Sequence, residues 1–191
     1  MDEIRKLSSG LSQTDFGEMK KLLLGEANQS SICRQRVISA VLSRMKTRPT
    51  EQADFLLWQH GADILGDLKA VEAIDHLVAH LDVSDGLSPS MSHYPAARAL
   101  IQIGSSALPK LANALSQSSD PYFRRKALFC IAQIGGQQAA RALKDASHLE
   151  TDRCNSRFIN TSIRAFKNRD FPNQITSRTR AEWYSAFLCR K

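Results

Sequence analysis

The chain has 191 residues, of which 42% are hydrophobic and 24% are charged, proportions typical of a globular protein and unlike those of a disordered or fibrous one. No apolar run approaches the ~18 residues of a membrane span, and the charged N-terminus lacks the apolar core of a secretory signal. The sequence therefore predicts a cytoplasmic protein with no membrane partner. The net charge is +7, but an acidic block over residues 51–100 lies between basic segments, and such asymmetry bears on partners rather than on fold.

The four cysteines, Cys33, Cys130, Cys154 and Cys189, form no CxxC pair and have no metal-ligand spacing. This pattern favours reduced thiols over a disulfide framework. Cys130 lies within a predicted apolar helix, where a thiol usually acts as a small core residue.

The first half of the chain is predicted to be helical. Apolar residues at helical spacing indicate amphipathic helices over residues 16–23 and 32–45. A third helical pattern occupies residues 64–81, where Ile74, Leu77 and Leu81 form one apolar stripe. No segment alternates with period two, so no strand is predicted. The long connection over residues 82–95 is a candidate functional loop.

An internal repeat with a period of 31 residues follows this loop. Residues 96–104 align with residues 127–135, and each copy is a helix that ends at Ile-Gly. A second helix follows each glycine, and the one after Gly104 is predicted to begin with a Ser cap. Asp120 as N-cap and Pro121 at the first helical position mark the start of the later copy. Together these patterns predict eight to ten helices in antiparallel pairs.

The later copy carries a family resemblance. It resembles the HEAT-repeat pattern, particularly the short variety of phycobilin lyases. The resemblance lies in Asp120-Pro121, an apolar residue followed by Arg124, then Ala127 and Ile134-Gly135. The middle copy resembles the second half of that pattern and has His93 where the family has Arg. An earlier copy keeps only Leu65-Gly66 and the helix after it.

The resemblance implies an all-α fold, a right-handed α-solenoid of about four to five HEAT-like helix pairs. It places residues 1–191 in a single solenoid domain, with N-terminal helices in 1–50, the best repeats in 51–150 and a basic C-terminal cap in 151–191. The last helix is predicted to follow an irregular segment over residues 170–178 and to seal the solenoid end; the alternative is that it docks a partner. It opens with a capping box, and its apolar stripe consists of Trp183, Tyr184, Phe187 and Leu188.

The second helices of stacked pairs line the concave face of a solenoid, so equivalent positions on them should lie next to one another. The alignment of the repeats therefore predicts a partner-binding strip made of His76, Lys110, Asn113, Arg141 and Lys144. An acidic end made of Glu72, Asp75, Asp82 and Asp85 should oppose it. The strip could contact carboxylates or phosphates through charge-assisted hydrogen bonds. The alternative is that these residues form ordinary solvated polar faces.

A second basic cluster near the C-terminus is a possible secondary surface. Its members are Arg153, Arg157, Arg164, Lys167 and Arg169, with Phe158, Phe166 and Phe171 interleaved. Basic residues with aromatics are typical of nucleic-acid surfaces, and HEAT-like alkylpurine DNA glycosylases grip DNA in a basic concavity. The catalytic Asp and the tryptophans of that family have no evident counterparts in this sequence.

The sequence shows no constellation for catalysis. His76 and His80 have the spacing of a metal-binding pair, but an HExxH motif and a third ligand are missing, so we interpret them as two solvent-facing histidines. No GxSxG motif and no cysteine beside a base is present. The sequence therefore predicts no cofactor and no enzymatic activity.

The preferred interpretation is a non-catalytic module that binds another protein with an acidic patch, as an adaptor, a chaperone-like subunit or an antagonist of an enzyme or toxin. The alternatives are a sequence-nonspecific nucleic-acid-binding protein and, third, a HEAT-like DNA glycosylase or a bilin-lyase-type subunit.

Overall fold

The structure, a computed structural model, describes residues 13–50, 52–84, 93–167 and 185–189. Within these ranges the chain forms nine α-helices and no strand, which confirms the all-α class. The helices are α1 (Gln13–Ala27), α2 (Ser31–Arg44), α3 (Gln52–Asp67), α4 (Ile74–Ala79), α5 (Pro95–Ile103), α6 (Leu108–Gln117), α7 (Pro121–Ile134), α8 (Gly136–Ser147) and α9 (Arg153–Lys167). None of the described helices is both long and apolar enough to cross a membrane.

The chain divides into two compact units, residues 1–103 and residues 104–191. Helices α1 to α5 belong to the first unit, and helices α6 to α9 belong to the second.

In the first unit, α3 is the central helix and packs against α1, α2 and α5. Its Gly66 permits the close approach of α5, because a Cβ atom at this position would lie only 3.1 Å from Ala99 Cα. Arg98 of α5 donates a hydrogen bond of 2.6 Å to Asp63 of α3. The largest fully buried side chains of this unit are Met45, Trp58, Leu65, Leu77, Leu81 and Leu100.

Residues 64–81 contain the end of one helix and a short helix after it. Helix α3 ends at Asp67, a 3₁₀ turn covers Val71–Ala73, and α4 is only six residues long. The apolar stripe of Ile74, Leu77 and Leu81 is buried, as predicted. The spacing of the stripe thus identified the core-facing positions.

Local signals account for the ends of α7. Asp120 Oδ1 accepts a hydrogen bond of 2.9 Å from the Tyr122 amide, and Pro121 occupies the first helical turn. Gly135 ends the helix with φ +72°, a backbone conformation that favours glycine. The Ser cap predicted before α6 is wrong: Gly104–Ala107 forms a 3₁₀ turn, and α6 begins without a side-chain cap.

In the second unit, α6 packs against α7 and α8, while α9 packs against α7 and α8. The second helices of two successive pairs, α6 and α8, therefore lie side by side, and so do the first helices, α7 and α9. Leu111, Leu128, Ile131, Leu143 and Phe158 are fully buried between them.

A disulfide joins α9 to the C-terminal segment. Cys154 pairs with Cys189 across a Cα–Cα distance of 5.2 Å, which lies in the usual range for a disulfide. The expectation of reduced thiols is wrong for this pair, because residues distant in sequence are brought together by the fold. Cys33 and Cys130 remain thiols. Cys130 is fully buried as predicted, and this burial raises the pKa of its thiol.

The short segment 185–189 also packs through an aromatic side chain. Phe187 makes edge-on contacts with Phe129 and Phe158 at ring-centroid distances of 4.9 and 5.8 Å. Phe187 is buried, as the predicted stripe requires, and Leu188 is half-buried. The capping box and the other two stripe residues, Trp183 and Tyr184, lie outside the described residues.

Candidate functional site

The candidate site is a groove of about 550 Å³ between α6 and α8, continued by the loop after α8. We call it the α6–α8 groove. Its apolar lining consists of Leu108, Pro109, Ala112, Leu115, Ala142, Ala146 and Leu149. Its polar lining consists of Ser116, Ser118, Arg124, Gln138, Arg141, Asp145, Glu150 and Thr151.

Small side chains keep the groove open. Ala112 on α6 and Ala142 and Ala146 on α8 line the groove, and the latter two are one helical turn apart. Of the lining leucines, Leu108 and Leu115 are buried, whereas Leu149 is 75% exposed. An exposed leucine beside an alanine-lined floor is an apolar surface without a covering element in the part of the chain that the structure describes.

A partly buried ion pair between two lining residues lies at one end of the groove. Arg124 of α7 donates from Nε and Nη2 to the two carboxylate oxygens of Glu150, at 3.0 and 2.8 Å. Its Nη1 also donates to the carbonyl oxygens of Ser118 and Ser119. The Glu150 side chain is only 2% exposed. Arg124 therefore ties the loop before α7 to the loop after α8.

Glu150 receives further hydrogen bonds from the start of α9. The Asp152 amide donates at 2.9 Å and Asn155 Nδ2 donates at 3.2 Å. Burial by itself would raise the pKa of Glu150, but hydrogen bonds from Arg124, the Asp152 amide and Asn155 bring it below its ordinary value. Conversely, the hydrogen bond to Glu150 raises the pKa of Arg124. These groups are occupied with one another, so they shape the groove rather than offer contacts to a ligand.

The same network holds the buried Asn155 in place. Its Nδ2 also donates to the Pro121 carbonyl at 3.0 Å, and its Oδ1 accepts from Arg125 Nε at 2.9 Å. Arg125 in turn contacts Asp152 at 3.2 Å. Arg124 and Arg125 thus hold the loops and α9 together.

The charged groups left to meet a ligand lie on the rim formed by α8. Gln138, Arg141 and Asp145 are exposed and follow one another at intervals of about one helical turn. Among the described residues, neither Arg141 nor Asp145 has an ion-pair partner. The rim therefore presents one cation and one anion beside the apolar floor.

The structure places four residues of the predicted strip on the two groove helices. Lys110 and Asn113 lie on α6, Arg141 and Lys144 lie on α8, and all four are exposed. Only Arg141 lines the groove. The 31-residue register assigned these residues to two second helices, but it does not indicate which side of a helix faces its neighbour.

His76, the fifth residue of the predicted strip, lies in the first unit within an aromatic cluster. Its ring stacks on the buried Trp58 at a centroid distance of 5.4 Å and lies 4.5 Å from the ring of His80. Both histidines are half-buried, so their interpretation as solvent-facing is wrong. Burial lowers the pKa of His76, and the neighbouring His80 lowers it further.

The residues of the predicted acidic end are also in the first unit. Glu72 pairs with Arg34 at 3.3 Å, and Asp82 pairs with Arg48 at 2.6 Å. Asp75 is exposed, and Asp85 lies outside the described residues. Two of these carboxylates are thus partly neutralised within their own unit.

The predicted secondary basic surface falls on α9. Arg157 and Arg164 are exposed, whereas Phe158 is fully buried and Phe166 is half-buried. Lys167 is the last residue of α9, its side chain lies outside the description, and Arg169 lies beyond the described residues.

Sequence reasoning missed the apolar floor and the Arg124–Glu150 ion pair at one end of the groove. Alanines at helical spacing on α6 and α8 were the available signal for the floor. Across the described ranges, no group of three or more His, Cys, Asp or Glu residues is placed to hold a metal ion. Comparison of this chain with family models, curated proteins and solved structures returns no match.

Proposed function

We propose that this chain is a non-catalytic protein-binding module built of stacked HEAT-like helix pairs, and that the α6–α8 groove receives a helical segment of its partner. The observation that carries the proposal is the apolar floor between two neighbouring second helices, bordered by an exposed charged rim. The 31-residue repeat and the side-by-side position of α6 and α8 support stacking of this kind. Within this class the module could act as an adaptor, a chaperone-like subunit or an antagonist.

A protein segment suits the groove better than a small molecule. Small-molecule sites combine an apolar wall with a few convergent polar groups held in place. Here Arg124 and Glu150 are the held polar groups, and they are occupied with each other. The remaining charged groups of the lining, Arg141 and Asp145, are exposed on the rim.

An amphipathic helix would use these features directly. Its apolar side chains would cover Leu149 and the floor, and the alanines at 112, 142 and 146 would permit close approach. A carboxylate beside that apolar face would meet Arg141 in a charge-assisted hydrogen bond. Through this contact the groove would recognise the acidic partner expected from the sequence.

The proposal can be tested with a displayed library of amphipathic helical peptides, selected against the full chain. Peptides that bind should lose affinity at least about tenfold, or about 1.4 kcal/mol, in Ala142→Trp, because the indole fills the groove. Lys144→Trp is the matched control, since it adds the same side chain to the same helix outside the groove. Affinity for that variant should remain within about twofold of wild type.

Two results would contradict the proposal. Selected peptides that bind Ala142→Trp and wild type equally would place their site elsewhere. A library that yields no binder to wild type would remove the groove as a helix-binding surface. Thermal unfolding of both tryptophan variants, followed by circular dichroism, verifies that each remains folded.

A further inference from the structure

The excess positive charge of the chain belongs to the second unit. Residues 104–191 contain 15 basic and six acidic residues, a net charge of +9, whereas residues 1–103 contain 11 basic and 13 acidic residues, a net charge of −2. A polyanion would therefore be attracted to the second unit and not to the first.

Within that unit, α9 carries a continuous polar stripe. We define the α9 stripe as Arg153, Arg157, Asn160 and Arg164, all of which are exposed. Their spacing of four, three and four residues keeps their directions within about 60° around the helix axis. No aspartate or glutamate occurs anywhere in α9.

The opposite face of α9 explains why the stripe must face solvent. Asn155, Phe158, Ser162 and Ala165 are buried on that face, where α9 packs against α7 and α8. The helix is thus fixed by its own core, and the orientation of the arginine side does not depend on a partner.

The chemistry of the stripe fits phosphates better than a protein surface. Protein interfaces usually depend on aromatic or aliphatic anchors at their centre, and the α9 stripe has none. Arginine binds phosphate in bidentate geometry, and asparagine is a common donor to phosphate oxygens. Neighbouring stripe positions are about 4.5–6 Å apart along the axis, so the long side chains can reach several phosphates of one backbone.

The described aromatic residues of α9 favour a duplex over a single strand as the ligand of the stripe. Single-strand binding usually depends on bases that stack on exposed aromatic side chains. Phe158 is fully buried, and Phe166 is half-buried away from the stripe. We propose that the α9 stripe binds the phosphate backbone of a nucleic-acid duplex without reading its sequence. This site is separate from the α6–α8 groove, so either proposal can fail alone.

The test uses the full chain and a fluorescein-labelled DNA duplex of arbitrary sequence, about 20 base pairs long, which exceeds the reach of one helix. Affinity is measured by fluorescence anisotropy between about 50 and 200 mM salt. Each phosphate neutralised contributes about 0.9 to the slope of log K against log salt. The double variant Arg157→Gln/Arg164→Gln should therefore lower the slope by about 1.8, and adding Arg153→Gln by about 0.9 more.

The matched control is Lys110→Gln/Lys144→Gln, which removes two exposed positive charges from the same unit but not from the stripe. Its slope should remain within about 0.5 of wild type. Arg157→Lys/Arg164→Lys keeps the charge and should keep the slope. Thermal unfolding of each variant accompanies the titrations.

Four outcomes would overturn the inference. The first is that the duplex does not bind at the lowest salt, and the second is that the slope of log K against log salt falls equally in the stripe and control variants. The third is that Arg157→Lys/Arg164→Lys loses the slope. The fourth is that a single strand or an acidic protein binds more tightly than the duplex. A fall confined to the stripe glutamine variants, with folding intact, supports it.

Discussion

Replacing Glu150 by alanine tests whether its ion pair with Arg124 holds the end of the α6–α8 groove. The Glu150 side chain is 2% exposed and that of Arg124 is 16% exposed. The substitution removes two hydrogen bonds from the partly buried guanidinium and leaves it without a carboxylate. A hydrogen bond to a charged group usually contributes about 1.5–3 kcal/mol.

We expect the lower end of that range. Arg124 Nη1 would still donate to the Ser118 and Ser119 carbonyl oxygens, so the guanidinium would not be left entirely unpaired. The expected loss is therefore about 1.5 kcal/mol in the free energy of unfolding, measured by urea denaturation with circular dichroism. Asp145→Ala is the control, since this exposed carboxylate has no ion-pair partner among the described residues; its cost should be about 0.5 kcal/mol or less.

A double-mutant cycle with Arg124→Met separates the ion pair from simple loss of packing. If the two side chains stabilise the fold through each other, the double variant should cost at least about 1 kcal/mol less than the sum of the single variants. Additive losses, or a Glu150→Ala cost no larger than that of Asp145→Ala, would refute the role of the network.

Three further measurements test other parts of the structure. Because hydrogen bonds hold the pKa of Glu150 below its ordinary value, its stabilisation is complete above about pH 4.3 and is lost as the pH falls through the folded pKa. The stability difference between wild type and Glu150→Gln should therefore shrink in acid, and a constant difference would contradict this. Gly66→Ala should destabilise the chain by about 1–3 kcal/mol through contact with the α5 backbone. Gly17→Ala, where a Cβ atom would meet nothing within 4 Å, should instead stabilise by about 0.5–1 kcal/mol; equal denaturation midpoints for both would argue against close packing at Gly66. Finally, burial lowers the pKa of His76, so its contribution to stability is present above about pH 6.5 and is lost as the pH falls through the folded value. NMR titration should show His76 protonating below pH 6.5, and an ordinary or raised pKa would disprove its burial.

Helix positions could be predicted because their signals are local. The Asp120-Pro121 start of α7 and its end at Gly135 follow from caps that involve neighbouring residues. Apolar spacing likewise identified Val37, Ile38 and Val41 as core residues of α2. The cap expected before α6 failed because the chain first forms a 3₁₀ turn over Gly104–Ala107.

The site was predicted only in part, because its geometry depends on contacts between distant residues. Arg141 was identified from repeat register, but the pairing of Arg124 with Glu150 involves a loop for which the repeat provides no rule. His76 was misinterpreted because α3, an earlier helix, contributes the Trp58 ring that covers it. The disulfide of Cys154 and Cys189 likewise has no local signature.

The Arg124 network also bears on how tightly a partner could be held. Because the guanidinium joins the loop before α7 to the loop after α8, one end of the groove is held together in the free protein. A preorganised receptor loses little conformational entropy on association, so more of the contact energy appears as affinity. The ordering cost would then fall mainly on the incoming helix, and stapling or otherwise rigidifying that peptide is the change that should strengthen binding most.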